Sequence, residues 1–235
     1  MKGHINLRFK AIFFDRDDTL VFNDREWEKL RNEKLYEWSG REFIFSHDLF
    51  TKIFKKVRNG GFAFSLYKNI GQELAFFRQW YLYLFAELGI TENIHERADF
   101  LTERLWYFKK ELYPETLEVL EYFKNRGYKM GVISDCPPSL EQILINCGLA
   151  KYFTSFTASS LVGAGKPNPI IYKAALNAQQ VTACESLYVD DMENEADGAR
   201  QLGFTAFHLV RTEQPNSKQW SIKSLKDIIT YVEQN

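Results

Sequence analysis

The sequence predicts an α/β fold: a parallel sheet with helices on both faces, interrupted by an inserted all-α bundle. Three observations predict it. The run Ala11-Ile12-Phe13-Phe14 is apolar throughout and stops at Asp15-Arg16-Asp17-Asp18, as a strand buried on both faces of a parallel sheet does. After residue 113, short apolar runs alternate with amphipathic stretches, the pattern of successive β-α units. Between these parts, residues 22–110 carry helical spacing and no convincing period-two alternation. The expected organisation is a core domain from residues 1–21 and 111–235, with residues 22–110 inserted as a helical bundle.

Each element has its own signal. Asn23-Asp24 offers an N-cap to a helix over 25–39, with Trp27, Leu30, Leu35 and Trp38 at roughly helical spacing and Gly40 as C-cap. Ser46 or His47-Asp48 caps a second helix through Leu49, Ile53, Phe54 and Val57, ended by Asn59-Gly60-Gly61. Residues 62–71 read as a loop or a short helix. Residues 72–88 form a long aromatic helix closed by Gly89, and 91–112 a last helical stretch through Ile94, Ala98, Leu101, Leu105 and Phe108. The core resumes at Tyr113-Pro114-Glu115, with Pro at the first helical position and an acid at the positive end of the dipole. Strands are expected at 128–134, 153–158, 186–189 and 204–210. Helices are expected at 139–147, 169–178, 195–202 and 222–233.

Composition narrows the function classes. A formal net charge of −1 leaves no electrostatic footprint for nucleic acid or an anionic membrane. No stretch approaches the ~18 apolar residues of a membrane span. Cys136, Cys147 and Cys184 form no CxxC pair and read as reduced thiols. The polar, basic start, Met1 to Phe9, lacks a signal peptide's apolar run. These signs predict a cytoplasmic protein, a monomer or homodimer.

The chemistry gathers at strand ends. Asp15 and Asp17, two residues apart on extended chain, lie on one side. Charges so close need an offset, and a hard divalent cation such as Mg²⁺ is the simplest. One carboxylate then serves as nucleophile while the other shuttles a proton. The strand Gly131-Val132-Ile133 ends in Ser134-Asp135, where a hydroxyl and backbone N–H groups suit a phosphate oxygen. Gly165-Lys166-Pro167-Asn168-Pro169 places a lysine just before a helix. Leu187-Tyr188-Val189 runs into Asp190-Asp191, with Glu195 four residues beyond.

In order and placement, these four segments resemble the four motifs of the haloacid dehalogenase-like (HAD) hydrolases, over residues 9–21 and 114–210. The resemblance implies a Rossmann-like, HAD-like core and makes the helical insert a C1-type cap that covers the site and contacts substrate. It implies that Asp15 attacks phosphorus to form an aspartyl-phosphate. Asp17 then protonates the leaving oxygen and deprotonates the attacking water. Mg²⁺ would be held by Asp15, the main-chain carbonyl of Asp17 and Asp191. Lys166, Ser134 and Asp135 would serve the phosphoryl group, and the Thr19 hydroxyl would steady the loop. Asp18 and Asp190 stand where many members have Gly, and Arg16 where an aliphatic residue is usual. Asp190 would orient its loop. Glu195 replaces the commoner Asp or Asn, so it ligates metal directly, acts through water, or only holds Lys166.

The dehalogenase branch attacks carbon and needs no acid two residues after its nucleophile. The intact Asp15-x-Asp17 therefore points to phosphoryl transfer, with a phosphatase of a small phosphomonoester expected first. The alternatives are a phosphomutase acting on a sugar phosphate and a non-catalytic phosphate-binding or regulatory protein. Trp27, Trp38, Phe62, Phe64, Tyr67, Trp80, Tyr81, Trp106 and Tyr107 could stack on a substrate, but most are expected to pack the helical core. Arg58 and Lys68 are expected to face water, and the four histidines carry no assigned role.

Overall fold

The structure is a computed structural model that describes residues 8–42, 46–59, 67–107, 110–211 and 219–235, without the side chains of residues 47, 58, 59 and 105–107. The expectations for Arg58, Gly60, Gly61, Phe62, Phe64, Trp106 and Tyr107 as side chains or turns lie outside it. β1 (Ala11–Phe14) leads through the acidic loop into β2 (Val21–Phe22). Four helices follow: α1 (Arg25–Ser39), α2 (His47–Asn59), α3 (Ile70–Leu88) and α4 (Ile94–Tyr107). The chain returns through β3 (Glu111–Leu112) and continues as α5 (Thr116–Asn125), β4 (Lys129–Ser134), α6 (Leu140–Asn146), β5 (Ser155–Ala158) and α7 (Ser159–Val162). Then come α8 (Pro169–Gln179), β6 (Ser186–Asp190), α9 (Glu193–Gln201), β7 (Thr205–Leu209), β8 (Ser221–Ile222) and α10 (Lys226–Gln234).

The predicted α/β architecture is present. Six strands pair in the order β5-β4-β1-β6-β7-β8, every pair parallel. Alternation divides β1 between two cores. Ile12 and Phe14 join Val119, Phe123, Leu140 and Ile228 on one face, while Ala11 and Phe13 join Ile171, Tyr172, Tyr188 and Phe204 on the other. The helices α1 to α4 enclose a third core around Leu35, Phe76, Trp80, Leu84 and Leu101. Tyr67, Trp80 and Tyr81 are buried there, as expected of cap aromatics. Asp24 caps α1 through its carboxylate, and Gly40 closes it at φ 66°. No described helix is long and apolar enough to cross a membrane.

Several elements differ from the sequence reading, the short helix α7 among them. The stretch 91–112 does not stay helical to its end: Glu111 and Leu112 pair antiparallel with Phe22 and Val21. These two-residue strands join the chain's exit from the core to its return, and they are too short to show a period. Pro114 and Glu115 lie in a turn before α5, with Thr116 N–H donating to the Tyr113 carbonyl at 3.0 Å. The last helix begins at Lys226 because Ser221 and Ile222 extend the sheet beside β7.

Two contacts, the first of them buried, tie the helical block to the core. On α3, Glu73 accepts from the Ser139 N–H at 3.1 Å and its hydroxyl at 2.7 Å. Lys68 does not simply face water: its ammonium donates to the Ser160 carbonyl and reaches that of Leu161 at 3.5 Å. Burial pushes Glu73 up to about 7, against the Ser139 hydrogen bonds and the charge of Arg16. The folded protein therefore keeps a proton that the unfolded chain releases above its ordinary 4.5. The stability Glu73 contributes is complete below that value and is lost as pH rises through about 7. Glu73→Gln is expected to flatten the stability–pH curve between about pH 5 and 7.5 by roughly 1–3 kcal/mol, read from urea midpoints. An unchanged slope would remove Glu73 as its source.

Candidate active site

Strand register brings the acids together before any side chain is considered. Phe14 lies opposite Val132 of β4 and Val189 of β6, and the Asp15 N–H donates to the Val189 carbonyl at 2.9 Å. Asp15 thus leaves the sheet beside Asp190, while Ser134 ends β4 on the other side. This is the carboxyl edge of the sheet at its topological switch point, where α/β folds open a crevice for ligands.

Lys166 joins what register has gathered. Its ammonium, 1% exposed, lies 2.7 Å from Asp15 Oδ1, 2.8 Å from Asp190 Oδ2 and 2.7 Å from Glu195 Oε2. Three N–H donors thus meet three carboxylates, the condition under which a buried ammonium is tolerated. The backbone is held as firmly. The Lys166 N–H donates to both oxygens of Asp135, at 3.0 and 3.1 Å, so this carboxylate is turned onto the loop. Pro167 packs on Gly198 of α9, where a Cβ would sit 2.6 Å from the proline Cβ. Glycine is what allows that approach.

Asp190 is saturated by Lys166, the Tyr188 hydroxyl and the Met192 N–H, an anchoring arrangement. Glu195 reaches Lys166, and the hydroxyl of Tyr172 holds the Glu195 carbonyl at 2.7 Å. Burial raises Asp15 above the ordinary carboxylate range, with Lys166 pulling it down and Asp190 pushing it further up. Glu195 is likewise raised, first by burial.

Asp17 stands in the opposite condition. It is half-exposed, 2.5 Å from Arg16 Nη2 and 2.8 Å from Lys110 Nζ. Burial works against its charge, but the two cations prevail and hold it well below the usual range. Lys110 also donates to Asn23 Oδ1 at 2.8 Å, so the chain's exit and return meet at Asp17. The Thr19 hydroxyl is buried without a hydrogen-bond partner. The loop is steadied instead through its carbonyls: Arg211 donates to those of Thr19 at 2.7 Å and Asp18 at 3.3 Å. Arg211 is itself fixed by Glu115 at 2.5 Å and by the ring of Tyr113.

Asp191 is pushed up to about 6 by burial and then by the charges of Asp190 and Asp18. Its carbonyl lies 3.0 Å from His208 Nε2, and since a carbonyl only accepts, that nitrogen carries the proton. Asp191 thus faces the negative charge of Asp190 and Asp18, with Lys166 already shared three ways. That is a fit for a hard cation. Among the described residues, no three acidic, histidine or cysteine side chains form a complete metal cluster. Mg²⁺ commonly takes one or two carboxylates and fills its shell with water and phosphate oxygens.

Sequence reasoning passed over Arg211, His208, Lys110, Tyr172 and Tyr188. All but Tyr188, whose hydroxyl meets Asp190 two residues on, act on a residue distant in the chain or through a main-chain atom, and no local pattern marks such a role.

A family model described as haloacid dehalogenase-like hydrolase matches residues 9–203. The chain belongs to this family. A phosphoserine phosphatase of Thermus thermophilus is 32% identical over 136 residues, covering 57% of this chain and 53% of that protein. A glyceraldehyde 3-phosphate phosphatase of Pyrococcus abyssi is 27% identical over 202 residues, covering 83% and 78%. A solved 2-haloacid dehalogenase of Pseudomonas syringae pv. Tomato superposes with TM-score 0.71 over 96% of this chain and 99% of its own, at 20% identity. That last likeness is one of fold. The HAD-like chain spans about half the length of curated relatives such as the Thermus protein.

Lys166→Met leaves Asp15, Asp190 and Glu195 without their shared counter-charge. The expected loss is about 3–5 kcal/mol of stability, smaller at pH 6 than at pH 8 because protonation relieves the acids. Urea unfolding at both pH values checks it, and equal losses would contradict the charge account.

Proposed function

We propose that this HAD-like protein is a phosphatase that hydrolyses a small phosphomonoester through an aspartyl-phosphate. The core is formed by residues 1–21 and 111–235, and residues 22–110 act as its C1-type cap. The observation that carries this reading is the contrast between Asp15 and Asp17. One carboxylate is buried on Lys166 at the sheet edge, and the other stands half-exposed at the mouth. Acids set apart by environment divide the roles of nucleophile and proton carrier. The phosphatase names among the relatives agree with it.

Asp15 attacks phosphorus with the oxygen that Lys166 does not hold. Lys166 fixes the nucleophile and faces the developing charge, and Ser134 and Thr19 offer hydroxyls to the phosphoryl oxygens. Asp15, the main-chain carbonyl of Asp17 and Asp191 would hold Mg²⁺, which would supply positive charge to offset the phosphoryl group. Asp17 rests ionised against Arg16 and Lys110. Negative charge arriving with the substrate favours its protonation, after which it gives that proton to the leaving oxygen. It then takes a proton from the water that cleaves the aspartyl-phosphate. Asp135, Asp190 and Glu195 hold Lys166 in place.

Purified protein is expected to hydrolyse p-nitrophenyl phosphate with Mg²⁺ and to stop with excess chelator. Asp15→Asn should lower turnover by at least about 10³-fold with an unchanged circular dichroism spectrum. Substantial turnover in a clean Asp15→Asn preparation would refute the nucleophile. Absence of phosphate release from a wide panel of phosphomonoesters would refute the activity.

A further inference from the structure

Among the described residues, Nδ1 of His208 is buried without a hydrogen-bond partner. His208 lies on β7 opposite Asp190 of β6, the strand end from which Asp191 and Met192 lead into α9. Its other ring nitrogen, Nε2, donates to the Asp191 carbonyl at 3.0 Å. A buried ring nitrogen left unmet costs stability, and an apolar side chain at this position would carry no such cost. What the imidazole adds is that one hydrogen bond. It falls on a peptide that is held from its other edge as well. The Asp191 carbonyl and the Met192 N–H belong to one planar unit. The Met192 N–H donates to Asp190 Oδ1 at 2.8 Å, and Asp190 is itself fixed by Lys166 and the Tyr188 hydroxyl. Asp190 and His208, neighbours in register, thus take the two edges of the same plane. With both edges held, the ψ angle of Asp191 is fixed, and with it the direction in which the Asp191 side chain leaves the main chain.

We propose that His208 is a positioning residue for the cation site: its hydrogen bond holds the Asp191 peptide, and so the Asp191 carboxylate, in one orientation before a divalent cation arrives. The inference rests on the reading of Asp191 as a metal ligand. Lys166 holds Asp15, Asp190 and Glu195, whereas among the described residues no ion pair fixes the carboxylate of Asp191. Its support is the main chain. A hydrogen bond behind a metal ligand reduces the rearrangement that binding requires, and removing one lowers metal affinity by about ten- to a hundred-fold.

The test reads metal binding without substrate, so it does not depend on turnover. Full-length wild type, Asp191→Asn, His208→Phe and His208→Gln are each titrated with Mn²⁺, and free Mn²⁺ is measured by electron paramagnetic resonance. Phenylalanine keeps the ring and removes the donor, whereas the glutamine amide nitrogen can take the place of Nε2. His208→Phe is expected to bind Mn²⁺ about ten- to a hundred-fold more weakly than the wild type, with His208→Gln within about three-fold of it. Wild-type affinity in His208→Phe overturns the proposal. So does an equal loss in both His208 variants, because packing alone would then account for it. If His208→Phe does not fold, His208→Asn replaces it: its amide is too short to reach the carbonyl, and wild-type affinity there again overturns the proposal. Asp191→Asn reports on the underlying reading. If it binds Mn²⁺ as the wild type does, or the wild type binds none, Asp191 is not a metal ligand and both claims fall. A loss in Asp191→Asn with none in His208→Phe overturns the role of His208 alone.

Discussion

The structure depends on one buried ammonium. Lys166 gathers carboxylates from the end of β1, the end of β6 and the first turn of α9, three places brought together only by the parallel sheet. Alone, each carboxylate would be expelled or protonated at the sheet edge. With Lys166 among them, they stay clustered. The cost moves to placing Lys166, and much of the surrounding structure meets it. Asp135 fixes its backbone, Gly198 lets its proline loop close on α9, and Tyr188 completes Asp190. The cluster still carries more carboxylates than ammonium groups.

The acidic loop after β1 is held by groups distant from it in the chain. Arg211 grips two of its carbonyls, and the Thr116 hydroxyl takes that of Leu20 at 2.8 Å. The loop then runs without a break into β2, whose partner β3 is the return from the helical block. Lys110, at the foot of β3, reaches back to Asp17. The half-exposed acid is therefore connected to the cap linkers by an ion pair, while the buried acid is connected to the sheet.

The parts legible in the sequence were those with local cause. β1 could be read because burial on both faces leaves an unbroken apolar run that ends at Asp15. The helix over 25–39 could be read because Asp24 and Gly40 mark its ends by their own backbone chemistry. β2, β3 and β8 could not, since two residues carry no period and their pairing is made elsewhere. The same limit applied at the site. Asp15, Asp191 and Lys166 stand in recognisable segments, whereas Arg211 acts on Thr19 across 192 positions and through a carbonyl that every residue has. Asp135 shows a subtler limit. Its place after a strand end suggested a phosphate contact, but whether a carboxylate faces ligand or backbone is decided by the loop beside it, here the N–H of Lys166.

Charge orders the crevice along one direction. At the sheet edge, Asp15, Asp190, Asp191 and Glu195 outnumber Lys166. Toward the cap, Asp17 meets Arg16 and Lys110, and Glu73 on α3 faces Arg16. A phosphoryl group at the acidic end would meet net negative charge, which a cation on the proposed ligands would offset. The same polarity bears on Asp17, which lies between the ends. Arg16 and Lys110 hold it ionised, and negative charge brought near it would move it toward the protonated form.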